Sequence, residues 1–137
     1  MEKASQMLDR FGIENEVRVL SAHKTPEQAI AFAEGADAAG FSVIIAGAGK
    51  AAHLAGVMAA KSLLPVIGVP LAASLDGWDA LLSTVQMPTG IPVATVAIDG
   101  AANAALLAVA ILAVGNPDLT GKLREYREKL AEETLAG

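Results

Sequence analysis

FSVIIAGAGKAAHLAGVMAAKSLLPVIGVP, residues 41 to 70, is the stretch whose reading decides the fold. Phe41 to Ala46 is a near-continuous apolar run of strand length, Gly47 to Lys50 form a glycine-rich turn, Ala51 to Leu63 follow a helical period, and Pro65 to Pro70 form a second short apolar run. A strand apolar at successive positions is covered on both faces, the situation of a parallel sheet lying under helices. Parallel neighbours require a crossover, and the intervening helix supplies one. The stretch therefore predicts a right-handed βαβ unit.

The same alternation continues on both sides. Toward the C-terminus, Asp76 to Val85 carries Trp78, Leu81, Leu82 and Val85 at i, i+3, i+4 and i+7, and Pro92 to Ile98 (PVATVAI) reads as a strand. Ala101 to Val114 is a helix with almost no polar residue, stopped by Gly115, and Thr120 to Ala136 is a charged amphipathic helix with Leu123, Tyr126 and Leu130 as its stripe. Toward the N-terminus, Glu2 to Phe11 is a helix stopped by Gly12, and Glu16 to Leu20 (EVRVL) is a short β-branched strand. Thr25 is the expected N-cap of the next helix, with Pro26 at its first position and Gln28 completing a capping box; Ala29, Phe32, Ala33 and Ala36 are its buried stripe. Strands alternating with helices predict an α/β three-layer sandwich with a parallel sheet. A helix apolar all round must be covered on every side, by the last helix or by a neighbouring subunit. We read 101–114 as a sign of oligomerisation.

Composition narrows the function. The 137 residues contain 10 Lys+Arg against 15 Asp+Glu, a formal charge of −5, two His and no Cys. That length makes one domain, 1–137, able to bury its own core. Without cysteine there is no zinc–thiolate site, disulfide or thiol nucleophile. An acidic balance argues against nucleic-acid or anionic-membrane partners, which need a basic footprint. With no apolar run of membrane length, the expected location is cytoplasmic. The hydrophobic fraction is 53% with only 4% aromatic residues. Alanine accounts for much of the difference, and small side chains suit close helix packing and subunit interfaces.

In an open parallel sheet, ligands bind beyond the carboxyl ends of the strands. Both histidines fall in such loops, His23 within Ser21–Pro26 and His53 within Gly47–Leu54. A Gly-x-Gly turn opening a helix offers free N–H groups and the positive end of the dipole to an anion. Gly47-Ala48-Gly49 lacks the third glycine of a dinucleotide fingerprint and the Gly-Lys-Ser/Thr of a Walker loop. His23, beside Ser21 and Lys24, is the candidate proton carrier, because histidine changes charge between about pH 5 and 8. A histidine there can equally cap the next helix. His53 reads first as a positioning group, while Lys24 and Lys50 are either phosphate ligands or solvated surface cations.

Four motifs, taken together, resemble the class I PurE proteins, N5-carboxyaminoimidazole ribonucleotide mutases of purine synthesis. They are Ser-Ala-His-Lys-Thr-Pro (21–26), Ile-Ile-Ala-Gly-Ala-Gly-Lys-Ala-Ala-His-Leu-Ala-Gly (44–56), Val-Gln-Met-Pro-Thr-Gly-Ile-Pro-Val (85–93) and Ala-Asn-Ala-Ala-Leu-Leu-Ala (102–108). The resemblance implies a flavodoxin-like domain in a homo-octamer, with no metal or organic cofactor. The C-terminal helix, about 120–136, is then expected to pack on a neighbouring subunit. The implied reaction moves a carboxylate from N5 to C4 of the imidazole through a bound CO2 intermediate. His23 matches the family's catalytic histidine, Ser21 and Lys24 match positions at the substrate carboxylate and phosphate, and Ala48, Gly49, His53 and Leu54 match the loop that closes on the base. Lys50 lies in that same loop and is counted with the substrate-binding residues.

The chain departs from the family pattern at Lys24, where Arg is usual, and at Lys50 and Ala55, where a Gly and a Pro are usual. Family members also begin with a strand leading to a Gly-Ser-x-Ser-Asp loop that binds phosphate and ribose. Neither occurs in residues 1–137, so the implied sheet lacks its first strand. Two other readings follow. One is a catalytically impaired or engineered assembly module that keeps the packing surfaces. The other is direct carboxylation of aminoimidazole ribonucleotide with CO2, as in class II proteins, whose motif has Lys after Ser-Ala-His.

Overall fold

Ile44–Gly49 (β1) and Val66–Leu71 (β2) pair in parallel, from Ile44 opposite Val66 to Gly49 opposite Leu71, in a computed structural model that describes every residue from Met1 to Gly137. Leu54–Lys61 (α3) makes the crossover. The βαβ unit is thus present, with a shorter helix than the period over 51–63 suggests. Lys50 takes a left-handed φ of +57°, and this turns the chain away from helix before Leu54. Ala94–Thr95 (β3) joins β2 on its other side, Ile67 opposite Ala94 and Gly68 opposite Thr95, giving the parallel order β1-β2-β3. The strand expected over 92–98 is cut to two residues. Pro92 has no N–H to give, and after Val96 donates to the Gly68 carbonyl the chain turns at Asp99, φ +57°.

The remaining helices are Glu2–Arg10 (α1), Pro26–Gly35 (α2), Trp78–Val85 (α4, entered through a left-handed turn at Leu75–Gly77), Ala101–Ala113 (α5) and Pro117–Ala136 (α6). Successive residues of a strand point to opposite faces. Ile44, Ala46 and Val66 accordingly pack with Ala29, Ala33, Ala55 and Met58 of α2 and α3. Ile67 and Val69 face the other way, into Ala4 of α1 and Ala101, Ala104, Ala105 and Ala108 of α5. This is the three-layer sandwich expected, with alanines as the contact surface between layers. No helix is long and apolar enough to cross a membrane.

Three expectations need correction. Glu16–Leu20 is not a strand of the sheet: no backbone group from Glu14 to Leu20 pairs with another backbone group, and Val17 and Val19 are 71% and 98% exposed. β propensity alone does not make a strand where no adjacent edge comes within pairing distance. Thr25 does not cap α2; its hydroxyl accepts the Ser21 amide at 2.9 Å and reaches the Ser21 carbonyl at 3.1 Å, closing the preceding turn instead. The last helix starts at Pro117 rather than Thr120, because Asn116 accepts the Leu119 amide at 3.1 Å as a side-chain N-cap. The apolar α5 is covered in part within the chain, by α1, α6, β1 and β2, while Leu107 stays 36% exposed.

Candidate functional site

The turn before α2 and the loops at the carboxyl ends of β1 and β2 hold the polar residues. The turn before α2 is locked by short-range hydrogen bonds: besides the Thr25 contacts, the Lys24 amide donates to the Ser21 hydroxyl at 3.1 Å and the Thr25 amide to the Ser21 carbonyl at 3.0 Å. This turn projects His23 and Lys24 to the surface. The loop after β1 delivers His53 to the same place. Nε2 of His23 lies 2.8 Å from Nδ1 of His53, with the rings edge-on at 78° and their centroids 4.8 Å apart.

A hydrogen bond between two neutral imidazoles ties their tautomers together. If His23 donates from Nε2, its Nδ1 holds a lone pair; if His53 donates from Nδ1, its Nε2 holds the lone pair.

Both rings are exposed, as are Lys24 and Lys50. The chain's ion pairs are Arg18–Glu16 and Lys61–Glu34, which leaves Lys24 and Lys50 without carboxylate partners. Lys50 acts at longer range on Asp79, whose carboxyl is held below its ordinary value of 3.8 chiefly by the Ser74 hydroxyl; burial opposes this, and the Ala80 amide and, least of all, the Lys50 charge assist it.

Ala48 and Gly49 end β1, half-buried, and a side chain at Gly49 would sit 2.7 Å from Cβ of Ala73. That glycine lets the β1 and β2 loops touch. Leu54 opens α3 and turns inward against the α2–α3 core, so it supports the histidine loop from below.

Ser83 was not legible as a site residue, because a serine inside a helix has no distinguishing pattern. Its hydroxyl accepts the amide of buried Ala52 at 2.9 Å and has the carbonyls of Asp79 (2.7 Å) and Lys50 (3.2 Å) within reach for its own proton. Ser83 thus fastens the histidine loop to α4. Ser74 and Asp79 fasten the next loop to the same helix. What the arrangement offers is a coupled imidazole pair, two free cations and a glycine-rich loop around an open rim at the strands' carboxyl ends.

Comparison with known proteins bears on this site. The AIR carboxylase family model matches residues 1–133. The N5-carboxyaminoimidazole ribonucleotide mutase of Pyrococcus abyssi is 54% identical over 131 residues, covering 95% of this chain and 75% of the relative. A chloroplastic phosphoribosylaminoimidazole carboxylase of Vigna aconitifolia is 52% identical over 98% of this chain, which spans 24% of that longer protein. In structure, Treponema denticola PurE superposes with a TM-score of 0.89 at 31% identity, covering 98% of this chain and 85% of that one.

Proposed function

This chain belongs to the AIR carboxylase family, and on that premise we propose that it is an N5-carboxyaminoimidazole ribonucleotide mutase of purine biosynthesis, with His23 moving the proton. The observation that carries the reading is the 2.8 Å contact between His23 and His53 at the carboxyl ends of the strands. In the reaction the His23 imidazole gives a proton to N5 as the N5–carboxylate bond breaks, leaving CO2 and the free amine. C4 then attacks CO2, and the C4 proton passes back to the imidazole. No net proton or electron is consumed, and one acid–base group serves both transfers.

Lys24 and Lys50 are the cations for the substrate's anionic groups, with Ser21 beside Lys24 and the backbone of Ala48 and Gly49 facing the base. A lysine acts as a point charge rather than a bidentate fork, so orientation falls to the backbone loop. Holding CO2 beside the ring while water is excluded favours recapture over escape. The exposed rim needs covering for this, and we assign the cover to neighbouring copies. Trp78, Leu82 and Val85 form an apolar stripe along one side of α4 that is 61%, 53% and 46% exposed. The outer face of α6 is a second exposed surface. A homo-oligomer, an octamer by family resemblance, would bury both.

Incubation with N5-carboxyaminoimidazole ribonucleotide should yield the C4-carboxylated product faster than spontaneous conversion; no excess of product rejects the assignment. Direct carboxylation is the second reading, favoured by Lys24 following Ser-Ala-His and by the similarity to the plant carboxylase. Dependence of the rate on added bicarbonate, with aminoimidazole ribonucleotide as substrate, identifies that reaction.

A further inference from the structure

The spacing of the two imidazoles suits a chemistry other than proton transfer. Ring nitrogens bound at about 2.0–2.1 Å to one metal ion, at between a right angle and the tetrahedral angle, stand about 2.9–3.3 Å apart. Nε2 of His23 and Nδ1 of His53 are 2.8 Å apart, so a slight parting and a tilt of each ring aim both lone pairs at one point. Both rings are exposed and able to tilt, and neither forms an ion pair. Their backbones, by contrast, are fixed. The turn that carries His23 is closed by the Ser21 and Thr25 hydroxyls. His53 donates its amide to the Ala51 carbonyl at 2.9 Å and accepts the Val57 amide at 3.0 Å, next to the Ala52 amide that Ser83 holds. The fold has thus already ordered both ligands, and binding has little chain entropy left to lose.

We propose that His23 and His53 form a chelating site for a divalent transition-metal ion of the class that imidazole binds, Zn2+, Ni2+ or Cu2+. Neutral imidazole is the ligand these ions share, whereas Mg2+ and Ca2+ take oxygen. No third His, Cys, Asp or Glu joins the pair, so water fills the other positions and the ion stays exchangeable. On binding, the hydrated ion sheds two waters. The hydrogen shared by the facing nitrogens moves to the outer nitrogen of the ring that donated it; both rings stay neutral and no proton is released. Lys24 follows His23 and Lys50 lies in the His53 loop, both exposed and without carboxylate partners. Their charge weakens the site for a bare cation and favours an ion that carries an anion, such as a carboxylate, in an open position. An ion held on both facing lone pairs blocks the proton transfer assigned to His23. That consequence rests on the mutase reading, whereas the binding itself does not.

The test titrates the 137-residue protein with ZnCl2 in a buffer that does not bind zinc. Calorimetry should show one ion per chain, and His23→Asn and His53→Asn should each weaken binding at least tenfold at unchanged melting temperature. Zinc affinity that survives either substitution leaves one imidazole as ligand or places the ion elsewhere, and overturns the proposal. One ion shared between two chains overturns it as well. Electron paramagnetic resonance of the unsubstituted protein with one equivalent of Cu2+ counts the ligands without any variant: coupling to two imidazole nitrogens is expected, and coupling to one overturns the chelate. Saturating zinc should also remove at least nine-tenths of mutase turnover, and EDTA should restore it; turnover that continues at full occupancy overturns the block. Protein that binds zinc as described but forms no product when freed of metal fails the mutase reading alone and leaves the site established.

Discussion

Nε2 of His23 and Nδ1 of His53 stand 2.8 Å apart across thirty residues of chain, each carried by a loop at the sheet's carboxyl edge. Neither ring has a carboxylate in hydrogen-bonding contact, so the partner that sets each tautomer is the other imidazole.

The two histidines should therefore fail in different ways. His23→Asn should lower kcat by about 10²–10⁴-fold, the range for a general acid–base. His53→Asn should cost about tenfold, since His23 would then lose the hydrogen-bond partner that fixes its tautomer and ring orientation. The double variant should be little worse than His23→Asn alone, because groups acting as one unit are not additive. Additive losses would show that the rings work independently.

Ser83 lets the support of the site be tested apart from the chemistry. Ser83→Ala leaves the buried Ala52 amide without its acceptor, at a cost of about 1–3 kcal/mol. It should also raise KM more than it lowers kcat, since the loop bearing Lys50 and His53 is released from α4 while His23 keeps its own turn. Denaturant midpoints and steady-state kinetics on the same preparation check both halves.

The fold was legible where the pattern was local and the partner was in the chain. FSVIIA and PVIGVP are apolar at successive positions because helices cover both their faces, and both became paired strands. EVRVL carries the same β-branched signal and stayed unpaired, since a strand is a relation between two edges and sequence shows only one. The His53 loop was legible through its glycines and its place after β1, whereas the His23 turn was placed by reading EVRVL as a strand that the sheet does not contain. Ser83, Ser74 and Asp79 were not, because their roles depend on which helix end meets which loop, and that is set by the packing of α4 on β2. Thr25 misled for a related reason: its hydroxyl had two geometrically available partners, and the turn at Ser21 won over the helix N-terminus.

Asp79 gives a pH dependence whose sign can be worked out. Its folded-state pKa lies below the ordinary 3.8, chiefly through the Ser74 hydroxyl. A depressed carboxylate contributes stability above its unfolded pKa and loses it as pH falls through the folded value. Asp79→Asn should thus be less stable than the parent by a constant margin from neutrality down to about pH 4, and the margin should shrink below that. Urea midpoints across this range provide the check. A margin that changes between pH 7 and 5 would assign the effect to another group.

Leu75, Asp76 and Gly77 all have left-handed backbone, φ +46°, +53° and +84°. Glycine and aspartate tolerate that region, whereas leucine pays roughly 1–2 kcal/mol. Leu75 is 74% exposed and has little packing to lose. Leu75→Asn should stabilise the protein by about 1 kcal/mol, or about 4 °C in Tm, and calorimetry would read it directly.

Gly68 tests how closely α4 is seated on the sheet. A Cβ there would stand 2.4 Å from Cγ2 of Thr84 and 2.9 Å from Cγ1 of Val93, so Gly68→Ala must push α4 outward. Overpacking of this kind costs about 1–3 kcal/mol. The displacement should also reach the histidine loop, because Ser83 is the neighbour of Thr84 and holds the Ala52 amide. Thr84→Ser removes Cγ2 and keeps the hydroxyl that bonds the Ala80 carbonyl at 2.7 Å. The pair Gly68→Ala/Thr84→Ser should recover most of the lost stability and of any lost activity. If the double variant is no better than Gly68→Ala, the cost lies with Val93 and the two-residue β3 rather than with the seating of α4.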